Sequence, residues 1–98
     1  MTVKVLIRLE AEQDIADAAV WYEAQQHGLG HKFLDEIHAM LFKIAESPLI
    51  YPIVYKNTRR AFIRRFPFGV YYWVENLEIV VMAVMHGSRN PRNWKNRI

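Results

Sequence analysis

No cysteine occurs among the 98 residues, so disulfides are excluded and the redox compartment is left open. Long apolar runs are missing as well: the longest, Ile79 to Met85, has the length of a strand and falls well short of a membrane span. The N-terminus has no apolar leader with a cleavage site, which points to the cytoplasm. Internal repeats and low-complexity tracts are absent. Acid is scarce in the second half. Residues 56–98 carry nine Lys or Arg against Glu75 and Glu78, whereas residues 1–55 carry four basic and eight acidic side chains, so the net +3 divides into −4 and +7. A basic half of this kind points to an acidic partner, protein or nucleic acid, without choosing between them.

What is present is the material of one folded domain. Apolar residues make up 52% of the chain and charged residues 23%, ordinary for a globule and too hydrophobic for a disordered chain. A chain this short buries about 60–65% of its unfolded surface, so residues 1–98 are expected to share a single core.

Val3, Val5, Ile7 and Leu9 alternate with Lys4, Leu6 and Arg8, the period of a strand with one buried face. Glu10, Glu12, Asp14 and Asp17 then crowd the positive end of a helix expected over about Ala11 to Gln26. Gly28 stands where a left-handed residue would end that helix, and the short "GLG" at 28–30 turns the next one back antiparallel. Phe33, Leu34, Ile37, Met40, Leu41 and Ile44 give the second helix its apolar stripe, which Ser47 and Pro48 stop. "SPLIYPIVYKNT", 47–58, has two prolines and no clear period; it is expected to be an ordered surface connection with Leu49, Ile50 and Tyr51 packed inward.

Three strands are expected after it, in "RRAFIRRF", "FGVYYWVE" and "EIVVMAVMH", with turns at Pro67 to Gly69 and at Asn76–Leu77. The order β-α-α-β-β-β makes an α+β fold, an N-terminal strand and helical hairpin packed on a largely antiparallel sheet. The last strand is apolar on both faces: Ile79, Val81, Ala83 and Met85 point one way, Val80, Met82 and Val84 the other. Helices cover only one face, so the C-terminal tail, a partner chain, or both must cover the second.

"DIADAAVWYEAQQHGLGHKFL", "SPLIYP", "RFPFGVYYWV" and "AVMHGSRNPRNW", taken together and in order over nearly the whole chain, resemble the ParE-like toxins of the RelE/ParE superfamily, the toxic halves of bacterial type II toxin–antitoxin pairs. The resemblance implies a compact α+β toxin, a cognate antitoxin whose C-terminal segment wraps and neutralises it and, for ParE proper, inhibition of DNA gyrase by binding. It implies no cofactor. RelE-type relatives instead cut mRNA on the ribosome.

A nuclease that uses the 2′-OH needs a proton acceptor, a cation for the phosphorane and an acid for the leaving oxygen. His86 is the candidate base or acid, and Arg65, Arg64 and Arg89 are candidate clamps. After His86, however, the chain supplies only Ser88, Asn90, Asn93 and Asn96, with no tyrosine, histidine or acid as second proton carrier. His86 at a strand end also reads as a hydrogen-bonded structural residue.

Arg59, Arg60, Arg64 and Arg65 are expected to project from both faces of one strand, either as a partner-binding surface or as the charges of a protected edge. Arg89, Arg92, Lys95 and Arg97 make a basic tail. Within it Trp94 either folds back on the sheet or serves as an interface anchor. Trp21 lies off the Ile15–Ala18–Tyr22 line and is a candidate antitoxin anchor. His27, His31 and His38 lack the cysteines or acid cage of a metal site, and neither helix is basic enough to read a nucleic-acid groove, so sequence-specific binding is not expected. A third possibility is a relative that has lost toxicity and survives as an interaction module.

Overall fold

Strand, helical hairpin and sheet follow one another in the computed structural model, which describes residues 3–98. They are β1 (Lys4–Ile7), α1 (Leu9–Gln25), α2 (Leu29–Glu46), β2 (Ile53–Tyr55), β3 (Thr58–Phe62), β4 (Phe68–Glu75), β5 (Glu78–His86) and a one-turn helix α3 (Arg92–Lys95). The five strands form one mixed sheet in the order β1-β5-β4-β3-β2, with β1 parallel to β5 and the other pairs antiparallel. This is the α+β architecture expected, enlarged by β2. Among the described residues, no helix is long and apolar enough to cross a membrane.

The two helices lie against one face of the sheet. Phe33, Ile37, Met40 and Ile44 from α2 and Ala11 and Ala18 from α1 meet Val70 and Tyr72 of β4 and Ile79, Val81 and Val84 of β5. Burying the Val, Ile, Met and Phe side chains among them stabilises the fold by roughly 1.5–3 kcal/mol each. Gly28 enters α2 with φ of 86°, the left-handed conformation expected there. Gly30 sets the hairpin's closeness: a Cβ at that position would lie 2.6 Å from the carbonyl oxygen of Ala19. The Glu23 carboxylate accepts the N–H groups of Gly28 (2.9 Å) and Gly30 (3.0 Å). These bonds, that of Gly28 foremost, hold its pKa below the ordinary value.

Leu9 begins α1 instead of ending β1, and at 79% exposed it faces solvent. Leu49 and Ile50 are also exposed. Only Tyr51 of that trio packs against the core. The connection contains the short edge strand β2, which pairs with β3; Pro48 and Pro52 hide it, since three residues are too few to show a period.

The basic strand is shorter than its pattern suggests. Ile63 N–H donates to Phe68 O (3.0 Å) and closes a turn over residues 63–68 in which Arg65 has φ of 69°. Ile63 and Phe66 are both buried in the core. Three positions apart on a continuous strand they would face opposite sides; the turn brings both inward and leaves Arg64 and Arg65 in solvent. The turn therefore precedes the expected Pro67–Gly69, and Phe68 and Gly69 already belong to β4. The Asn76–Leu77 turn is where expected, with φ of 48° and 66°, the two left-handed residues of a tight hairpin.

β5 departs from simple alternation. Tyr71 pairs with Ala83 but Tyr72 with Val81, so Met82 is an extra residue opposite that step, a β-bulge. The bulge reverses the parity beyond it: Ile79, Val81 and Val84 face the helices, whereas Met82, Ala83 and Met85 face away. The second apolar face thus exists, with membership different from that expected.

Candidate functional site

The C-terminal tail covers that second face. Trp94 is only 4% exposed. Its ring stacks on Tyr71 (centroids 4.6 Å apart, planes at 28°) and meets Tyr55 edge-on at 6.1 Å, over a floor of Met82, Ala83 and Met85. Pro91 opens α3 and turns the chain back towards the sheet. Trp94 is therefore a plug and is removed from the contact surface by its own burial.

Arg97 locks the tail to α1. Its Nη1 and Nη2 donate to both oxygens of Asp14 (2.6 and 3.0 Å), and Nη1 also donates to Met82 O at 3.1 Å. Asp14 Oδ2 further accepts the N–H of Val84 at 2.9 Å. One bidentate ion pair thus satisfies backbone groups freed where β5 bulges and runs on past the end of β1. The hydrogen bond to Asp14 raises the Arg97 pKa further. Neither residue stood out as a pair in the sequence. The signal was Asp14 lying at helical spacing between Ala11 and Ala18, both buried: an acid on an apolar stripe requires a partner.

Arg59 is likewise committed internally. Its Nη1 donates to Leu49 O (3.0 Å) and Tyr51 O (2.7 Å), strapping the connection ahead of β2 to the sheet. Nearby the Tyr72 hydroxyl donates to Pro48 O at 2.6 Å, and burial pushes its pKa up to about 12. This commits the Nη1 group of Arg59 to backbone carbonyls, a structural use that the sequence did not show.

Arg64, Arg65 and Arg89 lie on two neighbouring segments at one end of the sheet, ahead of β4 and after β5. Gly87 N–H donates to Pro67 O at 2.7 Å, which joins the turn carrying Arg64 and Arg65 to the segment carrying Arg89. Arg60, on β3, has its guanidinium 4.6 Å from the Phe62 ring centroid. Phe62 in turn covers Gly69 and Gly87, where a Cβ would come within 3.1–3.4 Å of Arg60 or Phe62 atoms. Arg65 Nε is 3.6 Å from Glu36 Oε2 of α2, with most of the arginine still exposed. Arg92 is exposed on α3, apart from this rim.

Between α1 and the end of β5 a cleft of about 270 Å³ is lined by Asp14, Asp17, Trp21, Tyr22, Phe68, His86 and Arg89, among others. Trp21 is 59% exposed and stands edge-on to Tyr22 at 5.1 Å. Tyr22 continues into an aromatic group with Phe33, Phe66 and Phe68, and burial raises its pKa.

His86 Nδ1 accepts the backbone N–H of Ser88 at 3.0 Å and lies 2.7 Å from its hydroxyl. With Nδ1 so used, the neutral ring carries its proton on Nε2 and has no free lone pair with which to act as a base. Its ring packs against Phe68 at 5.5 Å. His86 and Arg89 share the cleft, but the ion-pair partner of Arg65 is on α2. Among the described residues, no group of three or more His, Asp or Glu is placed to hold a metal ion.

Solved structures share this fold. One, from the chromosomal ParDE TA system of P. aeruginosa, is 14% identical, with a TM-score of 0.64 over 87% of this chain and 96% of that one. Another, from the toxin–antitoxin complex RelBE2 of Mycobacterium tuberculosis, is 15% identical, with a TM-score of 0.62 over 88% of this chain and 92% of that one. A search of curated proteins finds no significant match. A family model, described as the ParE toxin of the type II toxin–antitoxin system parDE, matches residues 5–91, from β1 through the cleft and basic rim to the start of the tail, and the chain belongs to that ParE toxin family.

Proposed function

We propose that the protein is a cytoplasmic toxin that acts by binding DNA gyrase, and that an antitoxin with an acidic segment neutralises it. The observation carrying this reading is the exposed basic surface about one end of the sheet: Arg64 and Arg65 lie in solvent on the 63–68 turn, which the bond from Gly87 N–H to Pro67 O ties to the segment carrying Arg89, and Arg60 is on the adjoining strand β3. Like charges at this density repel one another, and an acidic partner relieves that repulsion. Arg92 on α3 and Trp21 at the cleft extend the candidate contact surface to either side.

Support for binding over cleavage comes from chemistry. Strand cleavage needs two proton carriers. His86 has committed Nδ1 to Ser88. A ribosome-dependent mRNA endonuclease using His86 with Arg65, Arg64 or Arg89 is the alternative, favoured by His86 and Arg89 lining one cleft with Asp17 and Tyr22.

Expression without an antitoxin separates the readings. The binding account expects growth arrest with induced DNA damage and intact mRNA. His86→Ala should keep that toxicity, while Arg64→Glu with Arg65→Glu should reduce it at least tenfold. Arrest with rapid mRNA loss that His86→Ala abolishes would establish the nuclease instead; no arrest at all would mark a non-toxic interaction module.

A further inference from the structure

The basic half of the chain has a second concentration of charge, on the sheet face that the tail covers. Lys56, in the two-residue turn between β2 and β3, and Lys95, in α3, meet at one ring: their Nζ atoms lie 5.4 and 4.6 Å from the Tyr55 centroid. Lys95 Nζ is also 5.7 Å from the Trp94 centroid. The two ammonium groups are therefore within roughly 10 Å of each other, a length of duplex DNA that carries about six phosphate charges. Arg60 is on the same side of the sheet, since it pairs across the strands with Tyr71, the residue on which Trp94 stacks. Arg92 is exposed at the start of α3. The ion pairs found among the described residues belong to Arg8, His27, Arg65 and Arg97. Lys56, Arg60, Arg92 and Lys95 thus bring four cations to the Trp94 plug from three elements, with no ion-pair partner among the described residues. Lys95 and Arg92 stand there because Trp94 and Arg97 pin the tail.

We propose that this face is a second binding surface, separate from the turn that carries Arg64 and Arg65, and that its ligand is the phosphate backbone of duplex DNA. Three features select that ligand. Trp94 fills the apolar floor, so the plug leaves no pocket there for an anchoring side chain of a protein partner, whereas contact with a phosphate backbone needs none. The rings already hold the protein's own cations, Phe62 the Arg60 guanidinium at 4.6 Å and Tyr55 the two lysines. The bases of a single strand would have to displace those cations to stack. Acid is confined to one border. The hollow of about 390 Å³ beside Asn57, Trp73 and Ile98 contains Glu75, which pairs across the strands with Glu78; these carboxylates repel phosphate and bound the surface at that end. No helix enters a groove, so binding is independent of base sequence. The inference goes beyond the gyrase reading and stands without it, because the toxin alone makes these contacts.

The test titrates a fluorescein-labelled 20-base-pair duplex with the full chain and follows anisotropy. Gyrase is left out, so failure here leaves the gyrase reading untouched. Two duplexes of unrelated sequence should bind within twofold of each other, and a single strand of the same length at least fivefold more weakly. With four phosphate contacts, log affinity should fall against log salt with a slope of about −3.6. Lys56→Glu/Lys95→Glu should weaken binding at least tenfold and flatten that slope by about 2. Arg64→Glu/Arg65→Glu, an equal change of charge, should weaken it less than threefold. Circular dichroism confirms that each variant is folded; if the glutamates disturb the packing on Tyr55, Lys56→Gln/Lys95→Gln takes their place and should weaken binding at least threefold. No binding at 50 mM salt, equal losses for the two charge reversals, or tighter binding of the single strand would overturn the proposal. Competition by a glutamate-rich peptide as effective as that by unlabelled duplex would overturn it too, and would mark the face as a site for an acidic protein.

Discussion

Trp94→Ala removes the plug of the second sheet face, and its cost follows from what the ring touches. Replacing a buried tryptophan by alanine costs about 3–5 kcal/mol. Trp94 packs against one layer only, the Tyr71–Tyr55–Met82–Met85 surface, so the lower end, about 3 kcal/mol, applies. For a domain of this length each kcal/mol moves Tm by roughly 4–8 °C, which predicts a fall of about 12–24 °C. Trp94→Phe keeps a ring on Tyr71 and should cost about 1 kcal/mol. Arg97→Ala, which strips Asp14 and Met82 O of their partner, should cost about 2 kcal/mol. The two anchors hold the same segment, so the double variant should fall short of the sum by about 1 kcal/mol or more: once one is gone, the tail detaches and the other has little left to hold. Thermal and urea unfolding followed by circular dichroism measures all four proteins. A Tm loss below about 4 °C for Trp94→Ala, or strict additivity with Arg97→Ala, would refute the view that the tail is an integral cover of the sheet.

Gly30→Ala should destabilise by about 1–3 kcal/mol through overpacking, because the added Cβ meets the Ala19 carbonyl at 2.6 Å and backbone must move to admit it; urea unfolding checks this, and Gly87→Ala, whose Cβ meets the half-exposed Phe62 ring, should cost less. Glu23 has its pKa lowered in the folded state from the ordinary 4.5 by the N–H of Gly28 and then of Gly30. Its contribution is therefore complete above pH 4.5 and lost as pH falls through the lowered value. The stability gap between the protein and Glu23→Ala should be constant from pH 5 to 7 and close towards pH 3 in parallel unfolding titrations. Tyr72→Phe leaves Pro48 O without its hydrogen bond and should cost about 1–2 kcal/mol in the same unfolding assay.

Much of the fold could be read from the chain because its signals are local and repeated. The α2 stripe from Phe33 to Ile44, the left-handed Gly28 and the Asn76–Leu77 turn each depend on a few adjacent residues, and the structure has all three. The features that escaped depend on contacts distant in sequence. Alternation in β5 gives no warning that Met82 bulges, since every residue around it is apolar and either parity looks buried. Ile63 and Phe66 look like strand residues until both must reach the core, which only the left-handed Arg65 between them allows. At the site, the charge division showed which half is basic but could not tell a free arginine from a committed one. Arg97 and the Nη1 group of Arg59 are used internally and Arg65 reaches Glu36, whereas Arg64 and Arg89 are exposed.

The most direct test of a toxin that grips its target without cutting it is a supercoiling assay with purified gyrase and purified toxin at physiological salt. The account predicts dose-dependent loss of supercoiling, at least tenfold weaker for Arg64→Glu/Arg65→Glu and unchanged for His86→Ala. Undiminished supercoiling at saturating toxin, together with cleavage of transcripts in a translating extract that His86→Ala abolishes, would contradict it.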